Sequence, residues 1–293
     1  MPRGLTADPA AALARDGYTL EGPAYATGRP DRSTFAVRTR AGVPAVAKLY
    51  PSGGGEQTYA NMAAVWRSSF GERRRPPGLP QPLDFVPEAG ALIMERLPGR
   101  PLVELGPVRE IDDVVPLLVA LHESDAVPSK RRNWARVVRS AKRKAAKAEA
   151  RTPDLGALFR ETAEALAAVE LADAELVAGH GDFTPRNVLA GPGRLALIDW
   201  DRFQLADPAR DVAYFGAWCF VWSLRRGGPP DWTPLERTAI RYAELRPGSA
   251  LEQRLPFHVA AGLVRIAHGI VELWPHDAPL VPRLLEAARR QLR

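Results

Sequence analysis

Asp182 and Asn187 stand five residues apart in the run His180-Gly181-Asp182-Phe183-Thr184-Pro185-Arg186-Asn187, and Asp199 follows twelve residues later. Between Asn187 and Asp199, two short apolar stretches, Val188 to Ala190 and Leu195 to Ile198, flank Gly191-Pro192-Gly193. That pattern predicts a hairpin with its turn chemistry built in. A strand ending at Asp199 is expected to return its carboxylate beside Asn187, so that one amide and two carboxylates converge. Phosphoryl transfer needs this set. One carboxylate accepts or orients the proton of the attacking hydroxyl. The amide oxygen and the second carboxylate hold magnesium, which prefers oxygen ligands and keeps several waters. An Asp-x4-Asn alone is commonplace in loops. The His-Gly before it, the hairpin after it and Ile198-Asp199-Trp200 behind make the set specific.

The stretch resembles the catalytic loop and metal-binding Asp of the aminoglycoside phosphotransferase and choline kinase family, small-molecule kinases of protein-kinase-like fold. The family pattern, His-Gly-Asp-x-x-x-x-Asn followed by Ile-Asp-Trp, is present without a gap. The resemblance implies that Asp182 is the catalytic Asp and that Asn187 and Asp199 are the magnesium ligands. It implies ATP or GTP as phosphoryl donor and a small-molecule acceptor. Further along the chain, Ala45-Val46-Ala47-Lys48 is similar to the Val-Ala-Ile-Lys strand, whose Lys pairs with the α- and β-phosphates. The family also expects a helical Glu paired with that Lys. Glu56 is the candidate, although it lies only eight residues after Lys48. Met94 to Leu102 resembles the hinge, so adenine would pair with backbone groups near Glu95 to Leu97. Leu205 to Asp211 resembles a segment whose final Asp braces the catalytic loop. His180 is expected to order that loop. Arg186 reads equally as a γ-phosphate contact or as a solvated side chain.

These residues need a scaffold. Residues 8–16 suggest a short helix. Tyr18 to Tyr25, Thr34 to Arg40 and Val43 to Tyr50 read as strands, with turn material at residues 28–33. Glu56 to Ser68 has helical apolar spacing. Leu83 to Val86 and Ala91 to Met94 read as two more strands. The remainder is helical, including Ile111 to Ser124, residues 132–150, Leu251 to Leu273 and Ala278 to Leu292. Thr152-Pro153 and Thr233-Pro234 mark helix starts. The implied architecture is α+β and bilobal: a β-rich nucleotide-binding lobe over residues 1–94, a hinge over 95–100, and a mainly helical catalytic and substrate-binding lobe over 101–293.

The totals exclude several classes. Of 293 residues, 46 % are hydrophobic, which excludes a disordered chain. The single cysteine, Cys219, excludes an internal disulfide framework and fits a reducing, cytoplasmic setting. Met1 to Ala14 lacks the apolar run of a signal peptide, and Val212 to Leu224 is too short to span a bilayer, so no membrane association is expected. Net charge is +6. Ten Lys or Arg against one acid between Lys130 and Arg151 account for more than all of it, leaving the rest slightly acidic. This local excess argues against a generally nucleic-acid-coating protein. The segment reads as a helix packed by Trp134, Val137, Val138, Ala141 and Ala145, with solvated cations. Replacing Lys142, Arg143 and Lys144 is then expected to leave phosphotransfer unchanged.

The acceptor is not readable. From Phe203 onward nine acids face twelve Lys or Arg, so there is no acidic excess to suit a polycationic aminoglycoside. An aminoglycoside or other antibiotic, a sugar and an amino alcohol all stay open. So does a non-catalytic, nucleotide-binding relative, which the intact Asp182, Asn187 and Asp199 oppose. The short interval from Asp199 to Asp211 disfavours a peptide substrate. Oligomeric state is likewise left open.

Overall fold

The computed structural model describes residues 9–25, 32–73, 78–106 and 111–293. The chain divides into two compact units. The first takes in the chain up to Gly99, together with Asp125–Val127 and Ala190–Asp201; the second contains the rest. The architecture is α+β, with the main sheet in the N-terminal unit and most helices in the C-terminal one.

The N-terminal unit runs α1 (Pro9–Arg15), β1 (Thr19–Leu20), β2 (Ser33–Arg38), β3 (Pro44–Leu49), α2 (Gly55–Trp66), α3 (Ser69–Arg73), β4 (Pro82–Val86) and β5 (Ala91–Glu95). Its five strands form one sheet in the order β1-β2-β3-β5-β4, with every neighbouring pair antiparallel. Alternation in β3 decides what faces where. Ala45, Ala47 and Leu49 are buried in a core shared with Leu13, Val37, Val86 and Ile93. The two-residue period therefore turns Lys48 to the opposite face. The expected first strand is much shorter than its apolar pattern suggested. Gly22-Pro23 interrupts it, and only an isolated bridge from Tyr25 to Thr34 follows. Most of the expected turn at 28–33 lies outside the described residues.

The chain continues through β6 (Arg100–Pro101), α4 (Leu102–Leu105), α5 (Ile111–His122), β7 (Arg131–Arg132), α6 (Trp134–Arg151), α7 (Pro153–Ala167) and β8 (Val177–Gly179). Strands β9 (Val188–Gly191) and β10 (Arg194–Leu197) come next, followed by β11 (Gln204–Ala206), α8 (Ala209–Arg225), α9 (Thr233–Leu245), α10 (Leu251–Leu273) and α11 (Val281–Arg290). Helix α8 is buried on nearly all sides, including Cys219, and packs against α9 and α10. Helix α10 also packs against α6 and α11. A small sheet orders β7-β11-β8, with β11 parallel to β7 and antiparallel to β8. It sets Gly179, the residue before His180, against Gln204, and Arg132 against Ala206. The last helix begins later than the expected Ala278. Pro275–Leu280 is a 3-10 turn containing Pro279, and α11 opens with Pro282 in its first turn, where a missing N–H costs nothing. Among the described residues, no helix is long and apolar enough to cross a membrane.

Candidate active site

In the N-terminal unit, the site is built around Lys48. Its Nζ lies 2.8 Å from Asp199 Oδ1 and 3.3 Å from both carboxylate oxygens of Asp201. Burial is the strongest single influence and pushes the ammonium pKa down, but the charges of Asp199 and Tyr50 together with the hydrogen bonds to both outweigh it, and the net direction is up. The lysine therefore stays charged. The two carboxylates differ in setting. Asp201 accepts from Tyr50 Oη at 2.6 Å and from Thr58 Oγ1 at 3.0 Å, and it also pairs with Arg32. Its side chain is 10 % exposed, against 32 % for Asp199. Asp201 is thus a fixed anchor, and Asp199 is the carboxylate more open to solvent.

The segment carrying both carboxylates is pinned from behind. Trp200 is fully buried, meets Phe70 edge-on, and donates its indole N–H to the Leu197 carbonyl at 3.1 Å. Asn61 on α2 donates to the Trp200 carbonyl at 3.0 Å. Asp199 itself has φ +68°, a left-handed conformation that short polar side chains tolerate better than others.

The expected pairing of Lys48 with Glu56 is corrected. Glu56 is exposed in the first turn of α2, and the ammonium contacts Asp199 and Asp201 instead. The α2 residues turned toward the Asp201 segment are Thr58 and Asn61, three positions apart on one helix face. Of the two residues expected at the adenine, Glu95 ends β5, pairs with Arg194 at 3.0 Å, and donates its backbone N–H to the Gln81 carbonyl at 2.8 Å. Leu97 is half-buried just beyond it.

In the C-terminal unit, β8 delivers His180-Gly181-Asp182. Asp211 accepts from the backbone N–H of His180 at 2.7 Å and of Gly181 at 2.9 Å. His122 Nε2 lies 3.3 Å from the same carboxylate, and His122 Nδ1 lies 2.7 Å from the Tyr242 hydroxyl. Burial pushes the Asp211 pKa up, but the bond and charge of His122, then the charges of His180 and Arg210, hold it below the usual carboxylate range. The turn at Gly181 requires glycine. Its φ is +73°, and a Cβ there would collide with the Arg202 carbonyl oxygen and the Gln204 side chain. Phe183, fully buried, stacks on Phe215 with centroids 5.1 Å apart and anchors the next residue of the loop.

Asp182 is left partly open, its side chain 24 % exposed. Asn187 donates its Nδ2 to the Asp182 carbonyl at 2.9 Å and to Oδ2 at 3.3 Å. This leaves the amide oxygen as the group Asn187 can offer to a cation. Arg265 on α10 donates to the Gly181 carbonyl at 2.8 Å, pairs with Asp182 Oδ1, and lies over the Tyr214 ring at 4.1 Å. Arg202 Nε lies 4.0 Å from the same carboxylate oxygen. Arg186 lies over the Trp222 ring at 5.9 Å.

Reasoning from sequence missed Asp201, Tyr50, Thr58, Arg265 and Arg202. Asp201 had a signal, being adjacent to Asp199. Arg265 had a weaker one: it and Arg254 are the only Lys or Arg in α10, and Arg254 is accounted for by Asp207 at 2.5 Å.

These features are those of a protein-kinase-like fold carrying a phosphotransferase loop. A family profile described as the phosphotransferase enzyme family matches residues 26–250, and the chain belongs to that family. Among solved structures, the chain is similar to a thermostable mutant of aminoglycoside phosphotransferase APH(4)-Ia in ternary complex with ADP and hygromycin B. Identity there is 19 %, with TM-score 0.67 and coverage of 98 % of this chain and 99 % of that one. It is similar to a putative fructosamine-3-kinase from Thermobifida fusca, at 20 % identity, TM-score 0.60 and coverage of 98 % and 100 %. A choline/ethanolamine kinase family protein from Mesorhizobium loti matches at 17 % identity, TM-score 0.57 and coverage of 93 % and 87 %. No curated protein matches the sequence. The relatives are small-molecule kinases with different acceptors.

Proposed function

We propose that this protein transfers the γ-phosphoryl group of ATP, or of GTP, to a hydroxyl of a small molecule in the cytoplasm. The observation that carries the reading is the Asp182 loop. Its carboxylate is partly open beside Asn187, and its backbone is held by Asp211 through two N–H bonds. The similarity to a kinase bound to ADP supports the nucleotide.

Asp182 orients the acceptor hydroxyl and takes its proton as the oxygen attacks the γ-phosphorus. The bond from that phosphorus to the β–γ bridging oxygen breaks, and the nucleoside diphosphate leaves. Lys48 provides positive charge for the nucleotide phosphates, and Asp201 holds its ammonium in place. Asn187 and Asp199 are the magnesium ligands in this reading. An amide oxygen and a carboxylate are hard oxygen donors of the kind this ion accepts with waters completing its shell. Among the described residues, no cluster of three or more His, Cys, Asp or Glu forms a metal site, and such a cluster is not what magnesium on a phosphorylated substrate needs. When bound, magnesium neutralises charge developing on the phosphates. Glu95 and Leu97 are the proposed neighbours of the base.

The test is nucleoside-diphosphate release coupled to acceptor phosphorylation, across aminoglycosides, macrolides, sugars, amino alcohols and their anionic counterparts. Acceptor-dependent release supports the reading. Tight nucleotide binding with no phosphorylated product from any acceptor would favour a non-catalytic relative.

A further inference from the structure

Beside Asp182, the C-terminal unit encloses a recess of about 110 Å³, lined by Arg132, Arg143, Lys144, Arg202, Arg210 and Arg265. Among the described residues, no carboxylate lines it. The carboxylates around it are already engaged. Asp182 pairs with Arg265, Asp207 with Arg254 and His258, and Asp211 with His122 and two backbone N–H groups. Among the described residues, none of Arg132, Arg143, Lys144 and Arg210 forms a carboxylate ion pair, although the charge of nearby Asp211 acts on Arg210. The Nε of Arg132 and that of Arg210 are buried with no acceptor at all.

Six cations around one small space repel each other, and the groups register it. Burial first, then the charges of Arg265 and Arg202, push Lys144 down to about 8. Burial and neighbouring guanidinium groups push Arg132 down to about 10 and Arg210 to about 9. A cluster of this kind weakens the empty protein, and such violations of ordinary packing sense concentrate at functional sites. The solvated-helix reading holds for most cations of residues 132–150, with Val137, Ala141 and Ala145 buried as expected, but Arg132 and Lys144 are half-buried. Arg139, Lys142 and Arg143 are all exposed, but Arg143 and the half-buried Lys144 also border the recess with Val137, Ser140 and Ala141.

We propose that this recess seats an anionic group of the acceptor, so that the substrate is a hydroxyl compound bearing a phosphate or carboxylate. Guanidinium forks are suited to either anion. Arg265 and Arg202 border the recess and also reach the Asp182 carboxylate, so a hydroxyl a few bonds from the seated anion arrives at the proposed base. The same charge repels a polyamine such as an aminoglycoside. This inference rests on the kinase reading above and supplies its substrate class.

The test uses the full chain. Calorimetry first measures Mg·ATP binding. Coupled assays then compare neutral sugars and amino alcohols with sugar phosphates, sugar acids and hydroxy acids. Inorganic phosphate serves as a competing probe. The double variant Arg143→Gln/Lys144→Gln removes two recess cations from the surface side of α6. Arg139→Gln/Lys142→Gln removes the same charge from the same helix outside the recess.

Anionic acceptors should be preferred, with phosphate competing against them. The recess pair should raise their KM about 10–100-fold, the loss expected for one or two charged hydrogen bonds, with Mg·ATP affinity retained. The control pair should stay within about twofold, the size of a screened surface effect. Mg·ATP binding together with a preference for neutral or cationic acceptors would overturn the inference and leave the kinase reading standing. Equal losses in the two double variants would also overturn it, since a general field and not the recess would then act. Absence of Mg·ATP binding would instead refute the kinase reading, and the acceptor claim with it.

Discussion

Replacing Asp211 by Asn changes one atom in a fully enclosed position and is expected to loosen the Asp182 loop from behind. The carboxylate takes two backbone N–H bonds, from His180 at 2.7 Å and Gly181 at 2.9 Å, with His122 3.3 Å away. An Asn side chain of the same shape keeps one acceptor oxygen and turns an NH2 toward the second N–H. One charge-assisted bond is lost, at about 1.5–3 kcal/mol, and one buried donor is left unmatched, at about 1–3 kcal/mol. Together these give about 3–5 kcal/mol, the scale for breaking one side of a buried charged pair. With a urea dependence of about 2–3 kcal/mol per molar, the unfolding midpoint should fall by about 1–2 M. Turnover should fall by about 10²-fold or more, since Asp182 is carried on the loosened backbone. The effect has a pH signature. The folded pKa of Asp211 lies below the unfolded one, so its contribution is present above the ordinary carboxylate range and is lost as pH falls through the lower folded value. The Asn variant should lack that part of the acid-side loss. Urea titrations from pH 3 to 7 with parallel kinetics measure both. Wild-type stability and turnover in the variant would refute the bracing role.

Asp199→Asn keeps a side chain that tolerates φ +68° while removing the charge, and should weaken magnesium-dependent nucleotide binding at least tenfold by calorimetry. Asp199→Ala should show the same binding loss plus about 1–2 kcal/mol of lower stability from the strained backbone. A second acid-sensitive group is Asp207. Burial raises its pKa, but bonds to His258 and Arg254 hold it at about 2 against 3.8 unfolded. That difference corresponds to roughly 2.5 kcal/mol, fully present above about pH 4 and lost between about 4 and 2. Asp207→Asn should flatten stability across that window.

Much of the scaffold was legible because its signals are local. The two-residue alternation of Ala45 to Leu49 turned Lys48 away from the core, and the hairpin turn glycines bracketed β9 and β10. The bracing role of Asp211 was expected only from the resemblance of its segment to the family's. Glu56 misled because Gly54 starts α2 so close to Lys48 that position 56 falls in an outward-facing first turn. The lysine's fixed anchor is instead Asp201, 153 residues away in sequence. Arg265 was invisible for a related reason: it meets Asp182 across 83 residues. The recess joins β7, α6, α8 and α10, and no periodicity reports such a meeting. One local clue existed. Lys144 follows Val137 by seven residues and Ala141 by three, which places it at the rim of the apolar stripe of α6 and not on its solvated side.

The most direct test of the kinase account is turnover by wild type and Asp182→Asn at saturating Mg·ATP and acceptor, with Mg·ATP affinity measured on both. The account predicts unchanged nucleotide affinity and turnover about 10²–10⁴-fold lower in the variant, the range for a positioned acid–base group. Equal turnover in the two proteins would contradict it.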